Sequence, residues 1–183
     1  MVGRNSFIVS VFLVFSLAIS GVLCGQRVID LDKVWGDMRV LGDDDEDYSG
    51  RAVTYGDING DGYMDIIIGA SYAFPGGRSY AGETYVIFGS SSPPSTIDLS
   101  TESADITVCG AASADDSGWA VASGDMNGDG YDDLIIGAYR ADTGGGTDAG
   151  ETYVIFGKIF SSPATIDLST QSADITVCGD DSG

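Results

Sequence analysis

The residues best placed to do chemistry in this chain are aspartates, and they come in two matched sets. Asp57-Ile58-Asn59-Gly60-Asp61-Gly62-Tyr63-Met64-Asp65 recurs as Asp125-Met126-Asn127-Gly128-Asp129-Gly130-Tyr131-Asp132-Asp133. Asp57, Asn59, Asp61 and Asp65 put side-chain oxygens at the first, third, fifth and ninth places; Asp125, Asn127, Asp129 and Asp133 do the same. Alternate residues of a tightly wound loop point inward together, and a hard cation such as Ca²⁺ takes about six to eight oxygen ligands at about 2.3–2.6 Å. At the seventh place Tyr63 and Tyr131 would each offer a backbone carbonyl, and Gly62 and Gly130 before them permit the sharp turn. Ca²⁺ is therefore the expected cofactor, with these ten residues as its ligands. The simpler alternative is an acidic turn held by Asx hydrogen bonds, and repetition of one ligand chemistry in both copies argues against it. An EF-hand is excluded, because its loop needs a bidentate Glu at the twelfth place, where this chain has Ile68 and Ile136.

The segments around each loop must position it. Asp65 runs into Ile66-Ile67-Ile68-Gly69-Ala70, and Asp133 into Leu134-Ile135-Ile136-Gly137-Ala138. Short apolar runs of this kind, rich in β-branched residues and closed by glycine, read as strands buried on both faces. Before the loops stand Arg51–Gly56 and Trp119–Gly124, also strand-like. Each loop thus joins two strands of a hairpin.

The period of the repeat sets the architecture. Asp57 to Asp125 is a shift of 68 residues (125 − 57), and Gly82-Glu83-Thr84-Tyr85-Val86-Ile87-Phe88-Gly89 returns at Gly150–Gly157 with the same shift. Thr96–Thr101 returns at Thr165–Thr170, displaced by one inserted residue, and Ile29-Asp30-Leu31 is a degenerate first copy of that opening. The second unit holds four strand candidates: Asp105–Cys109, Trp119–Ser123, Asp133–Ile136 and Thr152–Phe156. With 27 glycines and no sustained 3.6-residue periodicity, the chain past its N-terminus is expected to be all-β. Four short strands per unit suit a propeller blade better than a β-helix coil.

On these residues the chain resembles the FG-GAP repeats of integrin-α-type β-propellers. The resemblance is carried by the two aspartate loops, the Ile-Ile-Gly-Ala that follows each and the Tyr-Val-Ile-Phe-Gly strands. It implies an incomplete propeller: a first blade over 29–96, a second over 97–165, and the start of a truncated third at 166–183. The resemblance also implies Ca²⁺ bracing of the blade hairpins and recognition by loops on the opposite face. Ser71–Ala81 and Tyr139–Ala149 are the candidates, differing most between units and expected to be mobile at Pro75-Gly76-Gly77 and Gly144-Gly145-Gly146. The family's Phe-Gly pair is Ser49-Gly50 and Ser117-Gly118 here, and neither change removes a ligand. The implied role is a secreted or cell-surface module for adhesion or protein–protein recognition, with an extracellular protein or matrix partner. FG-GAP repeats also accompany a catalytic domain in proteins similar to glycosylphosphatidylinositol-specific phospholipase D. A structural repeat in a cell-envelope protein is the third reading.

Residues 1–25 read as a secretory signal peptide: Arg4 precedes the apolar run Phe7–Val22, and Ala18, Ser20 and Gly21, or Val22 and Cys24, offer the small residues of a cleavage site. At the other end Asp181-Ser182-Gly183 matches Asp116-Ser117-Gly118, so the chain reads as stopping in mid-blade, as a piece of a longer protein would. Any membrane attachment would then come from an anchor outside this segment. Eight basic residues against 28 acidic give a net charge of −20, which argues against nucleic acid and anionic lipid as partners. The absence of histidine removes Ser-His-Asp and Cys-His catalysis, and the chain is expected not to be an enzyme. Asp43-Asp44-Asp45-Glu46-Asp47 reads as a solvated acidic loop. Cys109 and Cys178 occupy equivalent places where the first unit has Leu41, and both are expected to be free, buried thiols. Trp35, Trp119 and the strand tyrosines read as core or inter-blade packing.

Overall fold

The computed structural model describes residues 38–143 and 147–180. The signal peptide, Ile29-Asp30-Leu31, Trp35, Gly144-Gly145-Gly146 and Asp181-Ser182-Gly183 lie outside the described residues. Regular structure within them is β, apart from one 3-10 turn at Pro75–Gly77. The strands are β1 (Arg39–Leu41), β2 (Ala52–Gly56), β3 (Asp65–Ala70), β4 (Glu83–Ile87), β5 (Thr96–Asp98), β6 (Ile106–Cys109), β7 (Ala120–Gly124), β8 (Asp133–Ala138), β9 (Glu151–Ile155), β10 (Ala164–Asp167) and β11 (Ile175–Cys178). No helix among the described residues is long and apolar enough to cross a membrane.

Two antiparallel four-stranded arrays dominate, β2-β3-β4-β6 and β7-β8-β9-β11. They have the up-and-down order of propeller blades. Their phase differs from the one expected. Asp105–Cys109 was to open the second unit, but β6 pairs antiparallel with β4, Glu83 opposite Cys109 and Val86 opposite Ile106. It is the fourth strand of the first array, with β10 along its far edge. In the same way Ile175–Cys178, placed by the repeat in a third blade, pairs with β9 and closes the second sheet. The sheets therefore run over Ala52–Cys109 and Ala120–Cys178. Alternating burial marks a segment as a strand and leaves its partner unspecified, so a repeat can be cut at any of its strands.

The linker strands tie one unit to the next. After β4 the chain leaves its sheet and β5 runs parallel to β1; after β9, β10 runs parallel to β6. Arg78 in the first unit adds an ion pair to Asp167 on β10 at 2.8 Å. At the seam the Ser117-Gly118 turn enters the first sheet, with Ser117 N donating to Ala81 O at 3.0 Å. Gly69 and Gly82 make the room: a Cβ at Gly69 would stand 2.1 Å from Gly118 O, and one at Gly82 2.0 Å from Ser117 O.

Burial of β3 on both faces follows its continuous apolar run. Ile67 packs with Val86, Ile106, Val108, Leu134 and Ile136 between the two sheets. Its neighbour Ile68 points the other way, into a cluster with Val40, Tyr85, Ile97 and Leu99. Trp119 packs between units, with the Arg51 guanidinium 3.3 Å above its ring and Tyr139 at 4.4 Å. Cys109 and Cys178 are both free, but of the two only Cys109 is buried. Cys178 is exposed, because β10 covers β6 while no described strand lies along the outer edge of β11.

Candidate metal centres

Each aspartate loop sits at the tip of a hairpin, between β2 and β3 or between β7 and β8. The two loops share most of their hydrogen bonds, the second adding one from Gly128 N to Asp125 Oδ1 at 2.7 Å. Asp57 takes the Asp61 amide on Oδ1 at 3.0 Å and the Gly62 amide on Oδ2 at 2.9 Å. Asp125 takes Asp129 and Gly130 in the same way, at 3.2 and 3.0 Å. Asn59 Oδ1 accepts from Asp61 N at 2.9 Å, and Asn127 Oδ1 accepts from Asp129 N at 2.9 Å. The Tyr63 amide donates to Asp61 Oδ1 at 2.8 Å, and the Tyr131 amide to Asp129 Oδ1 at 3.0 Å. Gly62 and Gly130 sit at φ 88° and 92°, the left-handed region in which a β-carbon is strained.

The ninth-place carboxylates do a second job. Asp65 is fully buried; its Oδ2 accepts from Ile58 N and its Oδ1 from Gly89 N, both at 2.9 Å. Asp133, equally buried, accepts from Met126 N at 2.9 Å and Gly157 N at 3.0 Å. Each thus ties the start of its loop to the end of the third strand of its sheet. Burial, offset by those two amides and reinforced by Asp61 and Asp57, pushes the Asp65 carboxyl up to about 6. Two further carboxylates beside one buried carboxylate are costly to it, and a cation among them would offset that cost.

The donor set therefore suits a hard cation: three carboxylates, a side-chain amide oxygen and a backbone carbonyl per loop, with no nitrogen or sulfur. A carboxylate oxygen that accepts one amide keeps a further lone pair for a metal. Among the described residues, however, no three His, Cys, Asp or Glu side chains gather closely enough to hold an ion as they stand. Closure on a cation would have to draw the carboxylates further together.

Two contributions were not anticipated from the motif. Asp132 links the loops: its Oδ2 accepts from Asp57 N at 2.8 Å, and its own amide donates to Asp57 O at 2.9 Å. Its one sequence signal is the contrast with Met64 at the equivalent place, which is exposed. Glu83 and Glu151 form the other. Tyr85 Oη donates to Glu83 Oε2 at 2.5 Å and Cys109 Sγ approaches Glu83 Oε1 at 3.5 Å. Tyr153 and Cys178 meet Glu151 likewise. Burial first, then Glu83, pushes the Cys109 thiol up to about 12, which disfavours the reactive thiolate. The Glu-Thr-Tyr spacing carries the signal, since residues two apart on a strand share a face.

The opposite end of the molecule holds the proposed recognition loops. Ser71–Ala81, expected to be mobile, is anchored: Ala73, Pro75 and Ala81 are buried, and Gly82 N donates to Ala73 O at 3.1 Å. It carries an aromatic row in which Tyr72 meets Tyr48 at 4.9 Å and Tyr80 at 5.3 Å, and Phe74 meets Tyr80 at 4.9 Å. The acidic run beside it is solvated at residues 43–46, whereas Asp47 is buried.

Comparison with known proteins agrees with this architecture. The FG-GAP repeat profile matches residues 49–87 and 117–155. Integrin alpha-PS2 of Drosophila melanogaster is 40% identical over 90 residues, covering 49% of this chain and 6% of that protein. Phosphatidylinositol-glycan-specific phospholipase D of Bos taurus is 38% identical over 112 residues, and that of Homo sapiens 36% over 128. Those matches cover 60% and 67% of this chain, which spans 13% and 15% of the two enzymes. Residues 49–87 and 117–155 are thus two FG-GAP repeats, each forming three strands of a sheet built like a propeller blade.

Proposed function

We propose that this chain is a calcium-binding propeller segment of a secreted or cell-surface protein, serving adhesion or protein–protein recognition. The observation that carries the metal reading is the duplication of one hydrogen-bonded, all-oxygen loop at the same place in both sheets. Asp57, Asn59, Asp61 and Asp65 with the Tyr63 carbonyl would hold one ion, and Asp125, Asn127, Asp129 and Asp133 with the Tyr131 carbonyl the other. The bound cation would offset carboxylate repulsion and brace the hairpin. The aspartate amide contacts hold the loop in shape before the ion arrives. At the far end, Ser71–Ala81 and Tyr139–Ala149 would meet an extracellular protein or matrix partner, and the Tyr48, Tyr72, Phe74 and Tyr80 row gives the first of them apolar area to bury.

Calorimetric titration tests the metal reading. Ca²⁺ should bind with affinity of about 10⁻⁴–10⁻³ M, typical of extracellular modules, and Asp61→Ala and Asp129→Ala should each remove one site. An absence of heat, or a titration unchanged in the double variant, contradicts it. A second reading is favoured by the longer matches to the phospholipase D relatives, 60% and 67% of this chain against 49% for the integrin. The segment would then be the non-catalytic propeller part of a larger hydrolase, and hydrolysis of a glycosylphosphatidylinositol substrate by the full protein would favour that reading over adhesion.

A further inference from the structure

Both loops contain an asparagine followed by glycine, Asn59-Gly60 and Asn127-Gly128. Such a step is chemically labile, because glycine has no β-carbon to shield its amide nitrogen from the preceding side chain. Local sequence cannot separate the two sites, since both read Asn-Gly-Asp-Gly-Tyr. The fold does separate them. A β-carbon at Gly60 would lie 2.3 Å from Cε1 of Tyr131, so the second loop's ring packs against one side of the first loop's Asn-Gly step, Gly60 itself staying exposed on the other. At Gly128 a β-carbon would meet nothing within 4 Å. Asn59 is half-buried and Asn127 exposed. Asp132 further clamps the backbone of the first loop at Asp57.

We propose that Asn127 is a site of spontaneous deamidation in the folded chain, and that Asn59 is protected by Tyr131. The Gly128 nitrogen attacks Asn127 Cγ; that N–C bond forms, the Cγ–Nδ2 bond breaks, and ammonia leaves with the proton lost from Gly128 N. Water then opens the cyclic imide at either carbonyl, giving aspartate or an isoaspartyl linkage. Water is the only co-reactant. The side-chain restraints on the two asparagines are matched: each side chain takes an amide on Oδ1 at 2.9 Å, and its Nδ2 donates to Asp61 Oδ2 at 3.0 Å or Asp129 Oδ2 at 2.9 Å. The attacking nitrogen of the second loop is itself engaged, Gly128 N donating to Asp125 Oδ1 at 2.7 Å, and this surface bond must open before attack. The consequence falls on the second loop. Its Asn127–Asp129 hydrogen bond becomes a contact between two carboxylates, and the isoaspartyl form adds a backbone atom that breaks the alternate spacing of the oxygens.

Incubating the intact chain at mildly alkaline pH, then mapping peptides by mass spectrometry with enzymatic labelling of isoaspartate, tests this. Conversion at Asn127 should run about tenfold faster than at Asn59, the ratio given by ~1.4 kcal/mol of additional opening energy in the covered loop. In denaturant the ratio should fall to near one, because the two local sequences match. Tyr131→Ala should raise the rate at Asn59 alone. Equal rates in the folded chain, faster conversion at Asn59, no conversion at either, or a ratio that survives unfolding would each overturn the proposal.

Discussion

Replacing Gly69 and Gly137 by alanine, one at a time, probes how the two units are joined. The positions are equivalent, at the same place in β3 and β8, yet they face different surroundings. The new methyl at Gly69 would stand 2.1 Å from Gly118 O, and the obstacle is backbone rather than a side chain that could swing aside. Overpacking of that kind costs about 1–3 kcal/mol, and a rigid neighbour argues for the upper end. At Gly137 the nearest atom is Ala120 Cβ at 3.6 Å, an ordinary contact. Alanine should therefore be tolerated there, and by restricting the unfolded backbone it should stabilise by roughly 0.5–1 kcal/mol. The gap between the two variants is then about 2–4 kcal/mol, or roughly 4–16 °C in Tm for a chain of this size. Thermal and urea unfolding followed by circular dichroism would measure it. Equal effects from the two substitutions would refute the seam as described, because they would mean that the Ser117-Gly118 turn does not press into the first sheet.

Two further outcomes follow from the electrostatics and from the contact between loops. Asp47 is raised from its ordinary 3.8 to about 6, by burial first and then by Asp44, Glu83 and Asp43. The folded form holds this proton more tightly than the unfolded chain does, so the contribution of Asp47 to stability is fully present below about pH 4 and is lost as pH rises to about 6, by up to roughly 3 kcal/mol. Asp47→Asn, which cannot ionise, should flatten that part of the profile in urea denaturation with chelator present; an unchanged slope would contradict the assignment. Asp132→Ala removes an acceptor from the Asp57 amide, and a hydrogen bond to a charged group is worth about 1.5–3 kcal/mol. Calcium affinity at the first loop should fall about tenfold or more, read by calorimetry in an Asp129→Ala background; no change would show that the loops act independently.

Much of the architecture is legible from local pattern. The apolar runs after each loop become β3 and β8, and residues such as Ile67 and Ile68 are buried on opposite faces as a continuous run requires. Sequence periodicity says less about partnership. Ile106–Cys109 alternates in the same way whether it opens one sheet or closes another, and the long excursion through β5 determines which. The fate of Cys178 hinges on a neighbouring strand along β11, which is a property of assembly rather than of its own segment. At the loops the spacing identifies which residues bring oxygen, but not which amides those oxygens accept. The clamps of Asp65 on Gly89 and of Asp133 on Gly157 join residues 24 apart, and Asp132 reaches 75 residues back to Asp57. The first two form only once each sheet is assembled, and the last only once the two sheets are stacked.

A crystal structure grown with Ca²⁺, with the ions located by their anomalous scattering, tests the central claim most directly. The expected result is one ion in each loop, ligated at about 2.3–2.6 Å by Asp57, Asn59, Asp61, Asp65 and the Tyr63 carbonyl, or by Asp125, Asn127, Asp129, Asp133 and the Tyr131 carbonyl. No ion at either loop under saturating Ca²⁺, or ions confined to the Asp43–Asp47 run, would contradict it.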